Sequence, residues 1–124
     1  MVGGRDAMSG PGVPQQVPEV GAAEADDLVR AGALLLDVRE PDEWEAGHAP
    51  AARSIPLGQL AERLAEIPDG TIVVVCRSGG RSARAAAALA GSGREARNLA
   101  GGMQAWAAAG LPVVTDAGGP GTVA

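Results

Sequence analysis

The chain has 124 residues, 46% of them hydrophobic, and a formal net charge of −5, which fits one compact domain and argues against a general nucleic-acid binder. It contains no lysine, one cysteine and one histidine, which excludes a lysine Schiff base, a P-loop lysine, an intramolecular disulfide and a structural zinc site within one chain. With no Phe or Tyr and only Trp44 and Trp106, the core must be built from Ala, Val, Leu and Ile, whose small side chains let helices lie close to a sheet.

Residues 1 to 16 are rich in Gly, Pro and Gln and carry too little hydrophobicity to pack, so a flexible leader is expected, with Met8 as an alternative start. Neither an apolar signal-type segment nor a stretch of membrane-spanning length occurs, and the expectation is a cytoplasmic protein that uses no membrane and whose thiol stays reduced. A domain is predicted over residues 17–115, followed by a flexible tail over residues 116–124.

Within the domain a short strand is predicted at Gln16 to Val20. A helix at Ala22 to Ala31 presents Ala25, Leu28 and Val29 on one face and stops at Gly32. Leu34 to Val38 reads as a buried strand, Pro41 to Ala46 as a short helical turn, Ser54 to Pro56 as an extended piece, and Leu57 to Ile67 as an amphipathic helix ended by Pro68-Asp69-Gly70. Thr71 to Cys76 is a buried strand. An alanine-rich helix, a polar strand at Glu95 to Leu99, a Gly101-Gly102 turn and a helix at Met103 to Ala109 complete the series. Strands alternating with helices imply an α/β domain with a mainly parallel sheet covered on both faces, in which ligands bind beyond the carboxyl ends of the strands.

Cys76 lies at such an end. A lone cysteine is usually an inert core residue, but this one is followed by Arg77-Ser78-Gly79-Gly80-Arg81 and then a run of strong helix formers, with Ser82 as the expected cap. Glycines let backbone amides converge on an anion, and a helix N-terminus with nearby cations lowers a thiol's pKa. Charge is distributed to match: up to Pro50 there are ten acids and three arginines, whereas Arg77 to Arg97 holds five arginines and only Glu95. Arg84, Arg94 and Arg97 are read mostly as a solvated helix face, and Arg77 and Arg81 as part of the turn.

Four separated blocks resemble one known family. They are Leu35-Leu36-Asp37-Val38-Arg39-Glu40 with Glu43-Trp44 and Gly47-His48; Ile55-Pro56-Leu57; Cys76-Arg77-Ser78-Gly79-Gly80-Arg81-Ser82; and Asn98-Leu99 with Gly101-Gly102-Met103 and Trp106. In this order and spacing the chain is similar to single-domain rhodaneses, the rhodanese-like sulfurtransferase domains. The pattern differs at Ala49, Ala51 and Ala100, all outside the loop. The resemblance implies a rhodanese-like three-layer α/β/α fold with a central five-stranded sheet, and an active loop in which Cys76 forms a persulfide.

On this reading Cys76 is the catalytic residue, and Arg77, Ser78, Gly79, Gly80, Arg81 and Ser82 form the substrate-binding loop, with no metal or other cofactor required. The sulfur comes from thiosulfate, a polysulfide or a persulfide. With no second cysteine, the acceptor must be external: cyanide, a small thiol, a dithiol protein or a sulfur-carrier protein. Asp37 and Arg39 are read as support, pairing with each other or with Glu40, Glu43 or Glu45. His48 is read as a structural hydrogen-bonding residue, and Trp44 and Trp106 as core anchors. Two alternatives are a non-catalytic binding or regulatory module and a phosphatase or arsenate reductase. The Cys-X4-Arg spacing, one residue shorter than the protein phosphatase loop, disfavours the second.

Overall fold

In a computed structural model, described here for residues 17–124, the elements in chain order are β1 (Glu19–Val20), α1 (Ala22–Arg30), β2 (Leu34–Asp37), α2 (Pro41–Ala46) and β3 (Arg53–Ser54). Two 3-10 segments (Leu57–Gln59 and Ala61–Glu66) lead to β4 (Thr71–Val75), α3 (Gly80–Gly91), β5 (Glu95–Leu99) and α4 (Gly102–Ala108). The expected leader, and Gln16 of the expected first strand, lie outside the described residues.

The five strands form one sheet in the order β1-β5-β4-β2-β3, with all four pairings parallel. Parallel strands are covered on both faces, and their side chains divide by the period of two. Leu36, Ile72 and Val74 face α3 and the 3-10 segments, packing with Ile55, Ala85, Ala86 and Leu89. Leu35, Val73 and Val75 face the other way, packing with Ala25 of α1 and with Met103 and Trp106 of α4. Ala85 and Ala86 are fully buried, so α3 meets the sheet through methyl groups. The aliphatic side chains buried on the two faces supply the main stabilising term, at roughly 1.5–3 kcal/mol for each large one.

Four features differ from the sequence-based expectation. Leu57 to Ile67 is not one amphipathic α-helix but two 3-10 segments, with Arg63 departing from helical geometry at φ −115° and ψ 17°. Its apolar residues still reach the core, because spacings of three serve a 3-10 turn as well as an α-turn. Residues beyond Asp116 fold back onto the domain instead of trailing away: Thr122 N–H donates to Ala46 O at 2.9 Å and Gly121 N–H to Val113 O at 2.9 Å. Only Arg84 of the three outlying arginines stands on α3, since Arg94 follows that helix and Arg97 lies on β5. Trp106 is a core anchor, 3% exposed with Nε1 donating to Pro112 O, but Trp44 is only partly buried and belongs to neither core cluster.

The strand order puts β4 at the centre of the sheet. Its carboxyl end, where Cys76 follows Val75, is therefore flanked by β2 on one side and β5 on the other. Asp37 registers with Val75, and Asn98 registers with Val74.

Candidate active site

Cys76 is 1% exposed, and its Sγ sits beneath the turn that links β4 to α3. The turn closes through Gly79, which takes φ +115° and forms the N-cap of α3. That conformation suits glycine, and it aims the Gly79 N–H at Sγ from 3.1 Å. Ser82, expected to cap the helix, stands instead within its first turn, three residues after the cap, fully buried, with Oγ 3.3 Å from Sγ. Gly80 has ordinary helical geometry and nothing within 4 Å of an added Cβ, so the loop does not depend on its being glycine in the way it depends on Gly79.

The thiol's ionisation reflects two opposed effects. Burial disfavours the thiolate; the Ser82 hydroxyl, then the amides of Ser82, Gly79 and Ser78, favour it and prevail, holding the Cys76 pKa below its ordinary 9.0. The helix N-terminus thus acts as the sequence predicts.

Both loop arginines have partners within the protein, and Arg81 also feels the charge of Cys76. Arg81 turns both terminal nitrogens onto the Glu43 carboxylate, at 2.7 and 2.8 Å, and Arg77 donates from Nε to Ala124 O at 2.8 Å. Glu43 also accepts the Glu40 N–H at 3.0 Å. The Arg81 hydrogen bonds, opposed by burial and aided by the Glu40 N–H and the charges of Arg81 and Arg39, hold the Glu43 carboxyl at about 2. Ser78, like Arg77, is exposed at the mouth of the turn.

Further loop contacts come from residues whose roles were not foreseen. Asn98, 2% exposed on β5, donates from Nδ2 to Gly79 O at 3.2 Å and to Glu19 Oε2 at 3.0 Å, while its Oδ1 accepts the Ser82 hydroxyl at 2.6 Å. Glu95, Arg97 and Asn98 make this strand polar by composition, so its sequence does not single out Asn98 as the buried one. On the opposite flank α4 meets the loop backbone: Met103 N–H donates to Cys76 O at 2.8 Å and Gln104 N–H to Arg77 O at 3.0 Å. Gly102 permits that approach, since a Cβ there would fall 2.5 Å from Cys76 O and the residue's φ is +57°. The Gly101-Gly102 pair is more than a turn.

Asp37 and Arg39 pair with each other, as expected for support residues, with Nη2 2.8 Å from Oδ2; Arg39, fully buried, also donates to Gly47 O. His48 is structural: its ring stacks on Trp44 at 3.6 Å, Nδ1 donates to Trp44 O at 2.9 Å, and Nε2 lies 3.3 Å from Asp116 Oδ1. Trp44 Nε1 donates to the same carboxylate, so the histidine and its neighbour fasten the returning segment. Among the described residues no cluster suited to a metal ion occurs, and no helix is long and apolar enough to cross a membrane.

Comparison with known proteins agrees with this architecture. Residues 21–109 match the family described as "Rhodanese-like domain". A sulfurtransferase of Allochromatium vinosum is 46% identical over 88 residues, covering 68% of this chain and 81% of the relative. Thiosulfate sulfurtransferase 16, chloroplastic, of Arabidopsis thaliana is 36% identical over 107 residues, covering 75% and 89% respectively. The crystal structure of a rhodanese-related protein from Thermoplasma volcanium superposes with a TM-score of 0.75 at 33% identity, covering 80% of this chain and 99% of that one. A match over most of the domain, on a five-stranded parallel sheet with its cysteine at the central strand's carboxyl end, means that the protein belongs to the rhodanese-like domain family, the family of these relatives named for sulfur transfer.

Proposed function

We propose that the protein is a sulfurtransferase that carries sulfane sulfur on Cys76, taking it from thiosulfate, a polysulfide or a persulfide. The observation that carries this reading is the donor set around Sγ, with Gly79 N–H at 3.1 Å and Ser82 Oγ at 3.3 Å. The Cys76 thiolate attacks the outer sulfur of the donor. The donor's S–S bond breaks, its electron pair leaves with sulfite, a polysulfide shorter by one sulfur, or a thiolate, and a Cys76 persulfide remains with its charge on the outer sulfur. An external thiolate, cyanide or a thiol of a partner protein then attacks that sulfur and expels the Cys76 thiolate. Neither step needs a general base once the thiol is ionised, which fits the structural employment of His48.

Fixed donors aimed at a charged sulfur in a dry site contribute roughly 3 kcal/mol each. The amides and hydroxyl therefore outweigh the loop's exposed cation, Arg77, whose field is screened. The engagement of Arg81 with Glu43 also speaks against phosphate hydrolysis, because the guanidinium that would grip the oxyanion already holds a carboxylate. Substrates are small sulfur donors and external acceptors, and a reducing, cytoplasmic setting suits a carrier thiol without a resolving partner.

The test is thiocyanate formation from cyanide with thiosulfate or polysulfide as donor. Turnover with either donor, lost in Cys76→Ser, is expected. Turnover that survives in Cys76→Ser contradicts the reading.

A further inference from the structure

Asn98 is the polar residue of the site that the chemistry above leaves without a task. Its amide orientation is fixed by its neighbours. One end faces Glu19 Oε2 at 3.0 Å and Gly79 O at 3.2 Å, both of which only accept, so that end must be the NH2 group. Oδ1 therefore faces Ser82 Oγ, 2.6 Å away, and must accept the hydroxyl's proton. The same Oγ lies 3.3 Å from Cys76 Sγ. Ser82 has one proton and two acceptors, and with Ser82 fully buried and Asn98 2% exposed, water does not supply another donor readily.

We propose that Asn98 is a positioning residue that competes with Cys76 Sγ for the Ser82 proton, making the Ser82 hydroxyl a two-position switch set by the charge on Sγ. With a thiol at Cys76, the hydroxyl donates along the short path to Asn98 and its oxygen accepts from S–H. When Sγ ionises, the proton turns to the sulfur, and the Asn98 Oδ1 loses its donor. On the sulfur-transfer reading a third state follows: in the persulfide the charge sits on the outer sulfur, Sγ becomes a poor acceptor, and the proton returns to Asn98. Asn98 would thereby favour the loaded carrier over the free thiolate, while its NH2 group holds Gly79 in place in every state.

The test needs no sulfur donor, so its failure is distinguishable from failure of the sulfur-transfer reading. The pH midpoint of Cys76 alkylation by iodoacetamide is measured in the full chain, in Ser82→Ala, in Asn98→Ala and in the double variant. Charged groups around the loop are the same in all four: Glu19 behind Asn98, Arg77 and the Arg81–Glu43 pair at its mouth, and the Asp37–Arg39 pair at the end of β2. Their fields, and the effect of releasing Gly79, cancel in the cycle. The midpoint shift produced by Asn98→Ala should be lower by about one pH unit with Ser82 present than with alanine there, equivalent to about a tenfold gain in thiolate at a fixed pH below the midpoint. Equal shifts in the two backgrounds, or a higher shift with Ser82 present, would overturn the proposal.

Should the Asn98 variants fail to fold, the unaltered chain supplies the same decision. The Asn98 side-chain carbonyl carbon should titrate in NMR spectra with the Cys76 midpoint, and lose that titration in Cys76→Ser. A carbonyl carbon that does not respond to Cys76 ionisation would overturn the switch.

Discussion

The carboxylate of Glu43 and the guanidinium of Arg81 form a two-pronged pair, 2.7 and 2.8 Å, that ties the first turn of α2 to the first turn of α3. The cation that sequence reasoning places on a substrate is thus engaged in holding the loop's helix, and Glu43, which the sequence offers as a partner for Arg39, is its anchor.

This pair makes stability depend on acid in a definite window. Folded Glu43 holds its proton at about 2, below its ordinary 4.5, so its contribution is complete above pH 4.5 and is lost as pH falls from there toward 2. With side chains 16% and 31% exposed, the pair contributes about 1–3 kcal/mol after solvent screening. Urea unfolding of Glu43→Gln should show a deficit of that order at pH 7 that shrinks toward zero as pH falls through the window. A deficit that stays constant with pH would assign the effect to packing.

Removing the Ser82 hydroxyl deletes the largest group favouring the thiolate and leaves burial less opposed. Ser82→Ala should therefore raise the alkylation midpoint of Cys76 by about one pH unit, with about a tenfold slower reaction below it. An unchanged midpoint would show that the amides alone set the thiol.

Gly102→Ala should damage the loop from outside. Its Cβ would meet Cys76 O at 2.5 Å and Arg77 O at 2.6 Å in a left-handed backbone, both of which α4 must avoid by withdrawing. A loss of about 2 kcal/mol or more in unfolding free energy is expected, together with a slower sulfur-loading step. Gly80→Ala, with open space and helical dihedrals, should instead gain about 0.5–1 kcal/mol. Melting curves of the two variants check both signs.

Much of the fold was readable because Leu34 to Leu36 and Thr71 to Val75 are short, continuous runs of aliphatic or β-branched residues, as central parallel strands require. The junction of Cys76 with glycines and a helix start located the site for local chemical reasons. Contacts spanning distant parts of the chain were less readable. Asn98 reaches Glu19 across 79 residues of sequence and Ser82 across 16, and Arg81 meets Glu43 across 38, distances over which periodicity carries no information. The preference of Ser for caps points to Ser82 as the cap, but Gly79 already ends the turn and frees the hydroxyl for the interior. The segment Leu57 to Ile67 misled because its spacing satisfies both helix types, and the break at Arg63 decided between them. The helical pattern around Trp44 points to the core, whereas the residue stacks on His48 and meets Asp116 of the returning segment, a contact that nothing in the stretch from 116 to 124 announces.

Intact-protein mass spectrometry of the reduced chain after incubation with thiosulfate, and separately with polysulfide, tests the central claim most directly. A gain of about one sulfur atom on the chain, removable by cyanide or a thiol and absent in Cys76→Ser, is the predicted result, since the persulfide is the covalent intermediate of both half-reactions. A chain that gains no mass from either donor, while Cys76 still alkylates at its lowered midpoint, would contradict it.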